Sequence, residues 1–136
     1  MTSLIDTGFM LAVLSRNDPH HLACRTVVQT ESNPLMPSVV LPELAYMVLR
    51  DLGYTPFIRF MRQLLQNESQ LVIVTEADLS RATEIMEKYA DSRIDFVDCV
   101  ITAMAERLHI SRILTIDQRH FRLLRPSHIP AFDILP

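Results

Sequence analysis

Apolar residues fall into two kinds of run along this chain. Short blocks of aliphatic and β-branched residues carry no helical gap. Longer stretches place their apolar residues three and four apart. The short blocks predict strands at Thr2–Ile5, Leu35–Pro37, Leu71–Val74, Arg112–Ile116 and Ala131–Leu135. The longer stretches predict helices over Thr7–Ser15, from Pro19 to about Glu31, Ser38–Leu52, Thr55–Gln66, Ala77–Tyr89 and Phe96–Leu108. A short helical turn is expected over Gln118–Phe121. The boundaries have chemical markers. Pro19 suits a first helical turn, Ser38 is a candidate N-cap, and Gly53 ends a helix where a left-handed residue is needed. Asn33-Pro34 breaks the chain between a helix and a strand.

Strands that alternate with helices imply an α/β fold, a parallel sheet covered on both faces. The 136 residues suit one domain, and no internal repeat or low-complexity stretch divides them. In such sheets sites form outside the carboxyl ends of the strands. Four acids are directed there. Asp6 and Asp117 follow predicted strands, in S-L-I-D-T and I-L-T-I-D-Q-R-H-F. Glu43 and Asp98 lie near the start of predicted helices, in V-V-L-P-E-L-A and D-F-V-D-C-V-I-T-A-M-A. Carboxylates delivered to one edge from distant segments repel one another unless a cation offsets them. Divalent-metal chemistry is therefore the leading expectation.

Composition narrows the classes. Hydrophobic residues make up 49% and charged residues 21%, which excludes a chain disordered throughout. No apolar stretch is long enough to cross a bilayer and no signal peptide opens the sequence, so a cytoplasmic protein without a membrane is expected. A net charge of −3 and a pI near 5.9 argue against a simple electrostatic nucleic-acid binder. They leave a nuclease open, because metal ions neutralise acids locally. Lys88 is the sole lysine, so the positive charge is almost all arginine, whose planar fork suits phosphate. Cys24 and Cys99 lack metal-ligand spacing and read as buried free thiols.

Each acid also has a structural explanation. Asp6 and Asp117 can cap the helices that follow them, Asp95 and Asp98 resemble a capping pair, and Glu43 can complement a helix dipole. Arg93 and Arg119 are the available cationic partners. Other motifs fit less well. Asp6-Thr7-Gly8 matches an aspartic-protease triplet, but one copy in a helix-rich chain does not make that site. A receiver domain needs a lysine after a late strand, and Lys88 falls in a helix. A haloacid-dehalogenase-type phosphatase needs an aspartate where Gly8 stands. Gly8 and Gly53 are the only glycines, too few for a phosphate-binding loop. His20 and His21, as sequence neighbours, point to different faces and do not share a metal. His120 reads first as a surface helix residue and second as a substrate contact. Met47, Phe57, Phe60, Met61 and Leu64 read as core, with a partner groove as the alternative.

The segments S-L-I-D-T-G-F, S-V-V-L-P-E-L-A, Y-A-D-S-R-I-D-F-V-D-C-V-I-T-A-M-A-E-R-L and I-L-T-I-D-Q-R-H-F together resemble the PIN-domain ribonucleases, especially the VapC-like toxins of bacterial type II toxin–antitoxin modules. The resemblance covers essentially the whole chain. It implies a three-layer α/β/α PIN-like fold with a central parallel sheet. It implies that Asp6, Glu43, Asp98 and Asp117 form an acidic quartet binding Mg²⁺ or Mn²⁺. Thr115 matches a hydroxyl position that supports the site, and Asp91 and Asp95 match upstream acids in one branch, with Asp95 as an auxiliary ligand. Cys99 stands where the family commonly has a small residue such as alanine, and a thiol is small enough to fit. The family further implies a homodimer and a cognate antitoxin.

The expectation is thus a metal-dependent endoribonuclease leaving a 5′-phosphate and a 3′-hydroxyl, with Arg119 and Arg122 as candidate contacts to the RNA backbone. Two alternatives stand beside it: a stand-alone PIN nuclease of RNA processing, and a non-catalytic PIN-fold binding module.

Overall fold

The computed structural model describes residues 1–67 and 70–136. Five short strands, β1 (Thr2–Ile5), β2 (Asn33–Pro37), β3 (Leu71–Val72), β4 (Arg112–Leu114) and β5 (Asp133–Leu135), form one sheet in the order β3-β2-β1-β4-β5. Every pairing is parallel. Leu4 sits in register with Leu35 on one side and Ile113 on the other. All three are aliphatic and buried, as a sheet covered on both faces requires.

The strand order explains how the helices divide. From β1 the chain steps outward to β2 and then β3, through α1 (Thr7–Leu14), α2 (His21–Thr30), α3 (Leu41–Asp51) and α4 (Tyr54–Gln66). It then crosses back over the sheet to β4, through α5 (Glu76–Lys88) and α6 (Phe96–Leu108), and ends with α7 (Arg119–Leu123) before β5. Right-handed crossovers running in opposite directions place their helices on opposite faces. This gives three α/β/α layers, with the direction reversing between β1 and β4. That reversal opens a crevice at the carboxyl ends of these two strands.

The core is continuous across both faces. From Asp98 to Ala105 every residue of α6 is buried, so this helix is apolar nearly all round and lies between the sheet and α5. Two ion pairs fasten α5 to α6. Arg107 gives a fork of hydrogen bonds to Asp78 at 2.8 and 2.9 Å, and Arg81 does the same to Glu106 at 2.7 and 3.2 Å. Asp78 also completes a capping box with Thr75 at the start of α5. At the amino ends of the strands, Arg112 bridges Glu31 and Asp133 at 2.6 and 2.7 Å.

Several expected boundaries shift: β2 begins at Asn33 instead of Leu35, α2 at His21 instead of Pro19 and β5 at Asp133 instead of Ala131. The strand predicted over Leu71–Val74 stops at Val72, because the Val74 N–H donates to Ser38 Oγ at 2.9 Å instead of to a neighbouring strand. That bond also takes Ser38 away from capping. A single 3₁₀ turn over Ser38–Val40 precedes α3, and Pro42 occupies its first turn. The strand predicted to reach Ile116 ends at Leu114, where the chain turns into the site. Phe60 and Leu64 are buried, with Phe57 and Met61 packed against the core. Phe60 and Leu64 also line an apolar cavity of about 200 Å³ between α1, α2, α4 and β2, with no titratable side chain among the described residues that line it. Met47 is instead half-buried on the wall of the acidic crevice. Cys24 and Cys99 are buried and free, and burial pushes both thiols up to about 11.

Candidate active site

The crevice at the β1/β4 reversal has a volume of about 470 Å³. Asp6, Glu43, Asp98 and Asp117 all line it, with Asp95 beside them. Each acid arrives there for a local reason. Asp6 is the first residue past β1, and its N–H bonds to Leu114 O at 2.9 Å, which prolongs the ladder by one step and fixes the side chain at the edge. Asp6 also caps α1, with Oδ1 accepting from the Thr7 N–H at 2.8 Å. Glu43 lies in the first turn of α3, which begins just beyond β2. Asp98 lies in the first turn of α6. Asp117 follows β4 by three residues.

Thr115 ties two of these segments together. Its Oγ1 lies 2.8 Å from Asp6 Oδ2 and 3.2 Å from the Asp117 carbonyl oxygen, and the residue is fully buried. Asp95 is the N-cap residue of α6, yet its side chain makes no capping bond, so the expected capping pair with Asp98 does not form. Asp117 accepts only a long bond, 3.5 Å, from the Arg119 N–H at the start of α7. Its carboxylate, with the side chain 62% exposed, is held by the Arg119 fork at 3.1 and 3.0 Å. Arg122 bonds to Gln118 Oε1 at 2.6 Å. Arg93 is exposed, with a left-handed backbone at φ 49°, and among the described residues it pairs with no acid of the crevice.

Sequence reasoning gave least weight to the crevice role of His120. The residue is not simply a surface helix position. Its Nδ1 lies 2.7 Å from Asp98 Oδ2, and the ring is mostly buried. The separation of 22 residues carries no signal. The usable hint was that His120 lies in the first turn of the short helix that follows Asp117 at the same sheet edge. Asp18 and His20 also line the crevice, while His21 turns away and bonds through Nδ1 to Ala12 O at 2.8 Å. The expected divergence of the two neighbouring histidines therefore holds.

The electrostatics of the crevice are those of crowded, unneutralised acids. Burial raises the Asp98 carboxyl to about 7; the nearby Asp6 adds to the rise and the bond to His120 offsets part of it. Asp6 is likewise raised, first by burial and then by Glu43 and Asp95, against the pull of its bonds to Thr115 and Thr7. Asp117 moves the other way, held down chiefly by Arg119. Among the described residues, no three His, Cys, Asp or Glu side chains already close around one point in metal-ligand arrangement. His120 and Arg119 occupy two of the carboxylates. The donor set itself is all carboxylate oxygen, the chemistry that suits Mg²⁺ and Mn²⁺ rather than a soft metal.

A family model described as the PIN domain matches residues 3–125. Ribonuclease VapC26 of Mycobacterium tuberculosis is 31% identical over 134 residues, covering 98% of this chain and 99% of that protein. Among solved structures, VapC20 of Mycobacterium tuberculosis, a toxin cleaving the sarcin–ricin loop, superposes with a TM-score of 0.75 at 19% identity, covering 82% of this chain and 86% of that one. VapBC2 from Rickettsia felis, bound to a DNA fragment from its promoter, superposes with a TM-score of 0.71 at 14% identity over the full length of both chains. Sequence and fold agree on one placement: the chain belongs to the PIN-domain family.

Proposed function

We propose that the protein is a divalent-cation-dependent ribonuclease and the toxin of a type II toxin–antitoxin pair. The observation that carries this reading is the gathering of acids from four separate segments in one crevice at the reversal of a parallel sheet. Full-length similarity to a curated ribonuclease, and similarity of fold to toxin structures, support it. Asp6, Glu43, Asp98 and Asp117 would hold Mg²⁺ or Mn²⁺, with Asp95 as auxiliary. A cation bound there supplies an activated water and neutralises charge at the phosphorus.

The chain's own residues supply the rest. Thr115 fixes the orientation of Asp6 through its hydroxyl. His120 orients the Asp98 carboxylate through its Nδ1. Arg119 stands on Asp117 at the crevice, where its exposed guanidinium is a donor for the RNA backbone; Arg122 lies on the same short helix. A cognate antitoxin and a second copy of the chain are the protein partners in this reading. Exposed Tyr46, Tyr54, Ile58 and Leu65 on α3 and α4 offer apolar surface for such contacts.

The test is cleavage of single-stranded and structured RNA by purified protein, in Mn²⁺ and in EDTA, beside Asp6→Asn. The reading expects cleavage only in Mn²⁺ and only by wild type. Growth arrest on expression, relieved by a neighbouring gene product, places the activity in a toxin–antitoxin pair. Cleavage without growth arrest points to a stand-alone processing nuclease, and no cleavage of any RNA overturns the enzymatic reading.

A further inference from the structure

The turn between α1 and α2 forms part of the crevice wall but has no part in the chemistry described so far. It comes from one face of the sheet, whereas α7 comes from the other. Its backbone is pinned. The Asp18 N–H donates to Ser15 O at 3.1 Å, Asp18 Oδ1 accepts from the His20 N–H at 2.8 Å, and the His21 N–H donates to Asp18 O at 3.0 Å. The His20 carbonyl accepts from the Cys24 N–H at 3.0 Å. His20 is thus held at both its N–H and its C=O, while its ring lines the crevice and makes no hydrogen bond or ion pair among the described residues.

This matters because RNA is a polyanion and the crevice is lined by carboxylates. Of the residues lining it, only His20 and His120 have side chains able to carry positive charge. His120 is committed to Asp98. Asp18, the acid nearest His20 in sequence, spends one oxygen on the His20 N–H. Among the described residues, His20 is therefore the one lining side chain able to carry positive charge that is not already paired.

We propose that His20 is a substrate-binding residue, its imidazole N–H donating to a non-bridging oxygen of a phosphate flanking the one that is cut. An RNA strand then crosses the crevice from His20 on the α1–α2 turn toward Arg119 on α7. This rests on the ribonuclease reading above and adds the wall that grips the strand. The role is positioning: His20 holds the backbone in register over the acids and takes no part in bond breaking.

The experiment compares wild type, His20→Ala and His20→Gln on a fluorescently labelled 20-nucleotide single-stranded RNA pool of random sequence in Mn²⁺. Binding of the intact pool is read by anisotropy in an Asp98→Asn background, and cleavage by KM and kcat in the native background. His20→Ala should weaken binding and raise KM by about tenfold, the scale of one hydrogen bond to a charged group, with kcat within about twofold. His20→Gln, which keeps a donor, should recover much of the loss. Unfolding midpoints should match wild type, since the backbone bonds of the turn are kept. Wild-type cleavage with an unchanged Kd and KM in His20→Ala overturns this proposal and leaves the ribonuclease reading standing. So does a loss that His20→Gln fails to recover and that tracks a lowered midpoint, which marks a purely structural residue. Absence of wild-type cleavage overturns both.

Discussion

Buried carboxylates occur in two regions of this protein, and the surroundings treat them in opposite ways. Between α5 and α6, Asp78 is 2% exposed and the Glu106 side chain 9%, yet each carboxylate receives an arginine fork and a backbone N–H bond, from Thr75 and from Ser127. Both carboxyls are held below their ordinary range despite the burial. In the crevice, Asp6 and Asp98 are also largely buried but meet other acids in place of arginines, and both carboxyls are raised. The same side-chain chemistry thus serves as a clamp in one place and is a source of instability in the other. Evolution does not usually leave like charges facing one another without a use for the field they create. A cation is the simplest partner that removes the repulsion, and a cation is what phosphodiester chemistry needs.

The largest effect that separates the two regions is on catalysis. Asp98→Asn should lower RNA cleavage by roughly three orders of magnitude, since several kcal/mol of charge stabilisation are lost. Arg107→Ala should leave cleavage per folded molecule within about twofold, because Arg107 bonds to Asp78 and Ile73 and does not line the crevice. Rates normalised to the folded fraction check both. Equal losses of activity would break the distinction.

Stability should show the reverse. Arg107→Ala leaves Asp78 buried without its fork and should cost about 2–3 kcal/mol, below the full value for a buried pair because Arg107 is 34% exposed. Urea unfolding in EDTA measures it. A change within error would mean that the clamp is ornamental.

The pH dependence sharpens the contrast. A carboxyl raised in the fold binds its proton more tightly when folded. The contribution of Asp98 is therefore fully present below about pH 4 and is lost as pH rises through about 7, and that of Asp6, raised as well, is lost in the same direction. Asp78 and Glu106 run the other way: their contribution is present above their unfolded values, near 4, and is lost only as pH falls below them. Between pH 5 and 7.5 the crevice acids dominate. The cation-free protein should melt higher at pH 5 than at pH 7.5, and Asp98→Asn should remove most of the difference. Melting in EDTA across this range checks the sign.

The smallest effect concerns Arg119. Its pair with Asp117 is solvent-exposed, so Arg119→Ala should leave the midpoint unchanged. It should tighten Mn²⁺ binding by about twofold, because a competing cation leaves Asp117. Calorimetric titration reads the change, and weaker Mn²⁺ binding would show that Arg119 assists the ion instead of competing with it.

The sheet and the crevice were largely legible in the sequence. Strand-like blocks separated by helical periods required a parallel sheet, and an acid placed directly after β1 or in the first turn of α6 had to reach its carboxyl edge. What periodicity could not carry were bonds between distant side chains. Ser38 looks like a cap in sequence but serves Val74, 36 residues away, and so shortens β3 and delays α3. His120 looks like a surface residue because nothing in its neighbourhood announces Asp98. Arg119 was open in the sequence to both an acid of the crevice and the RNA backbone, and only the structure shows its fork on Asp117. The two clamps between α5 and α6 were invisible for the same reason, since i,i+25 and i,i+29 pairs leave no trace in a helical pattern.

One comparison tests the central claim most directly: the unfolding midpoints of wild type and Asp98→Asn, each in EDTA and in Mn²⁺ at pH 7.5. If the crevice acids repel one another and are reconciled by a cation, Asp98→Asn is as stable as wild type or more so in EDTA. The order then reverses in Mn²⁺, because only wild type gains the full binding energy. Wild type more stable than Asp98→Asn under both conditions, with no shift on adding Mn²⁺, would make Asp98 a structural residue and contradict the account.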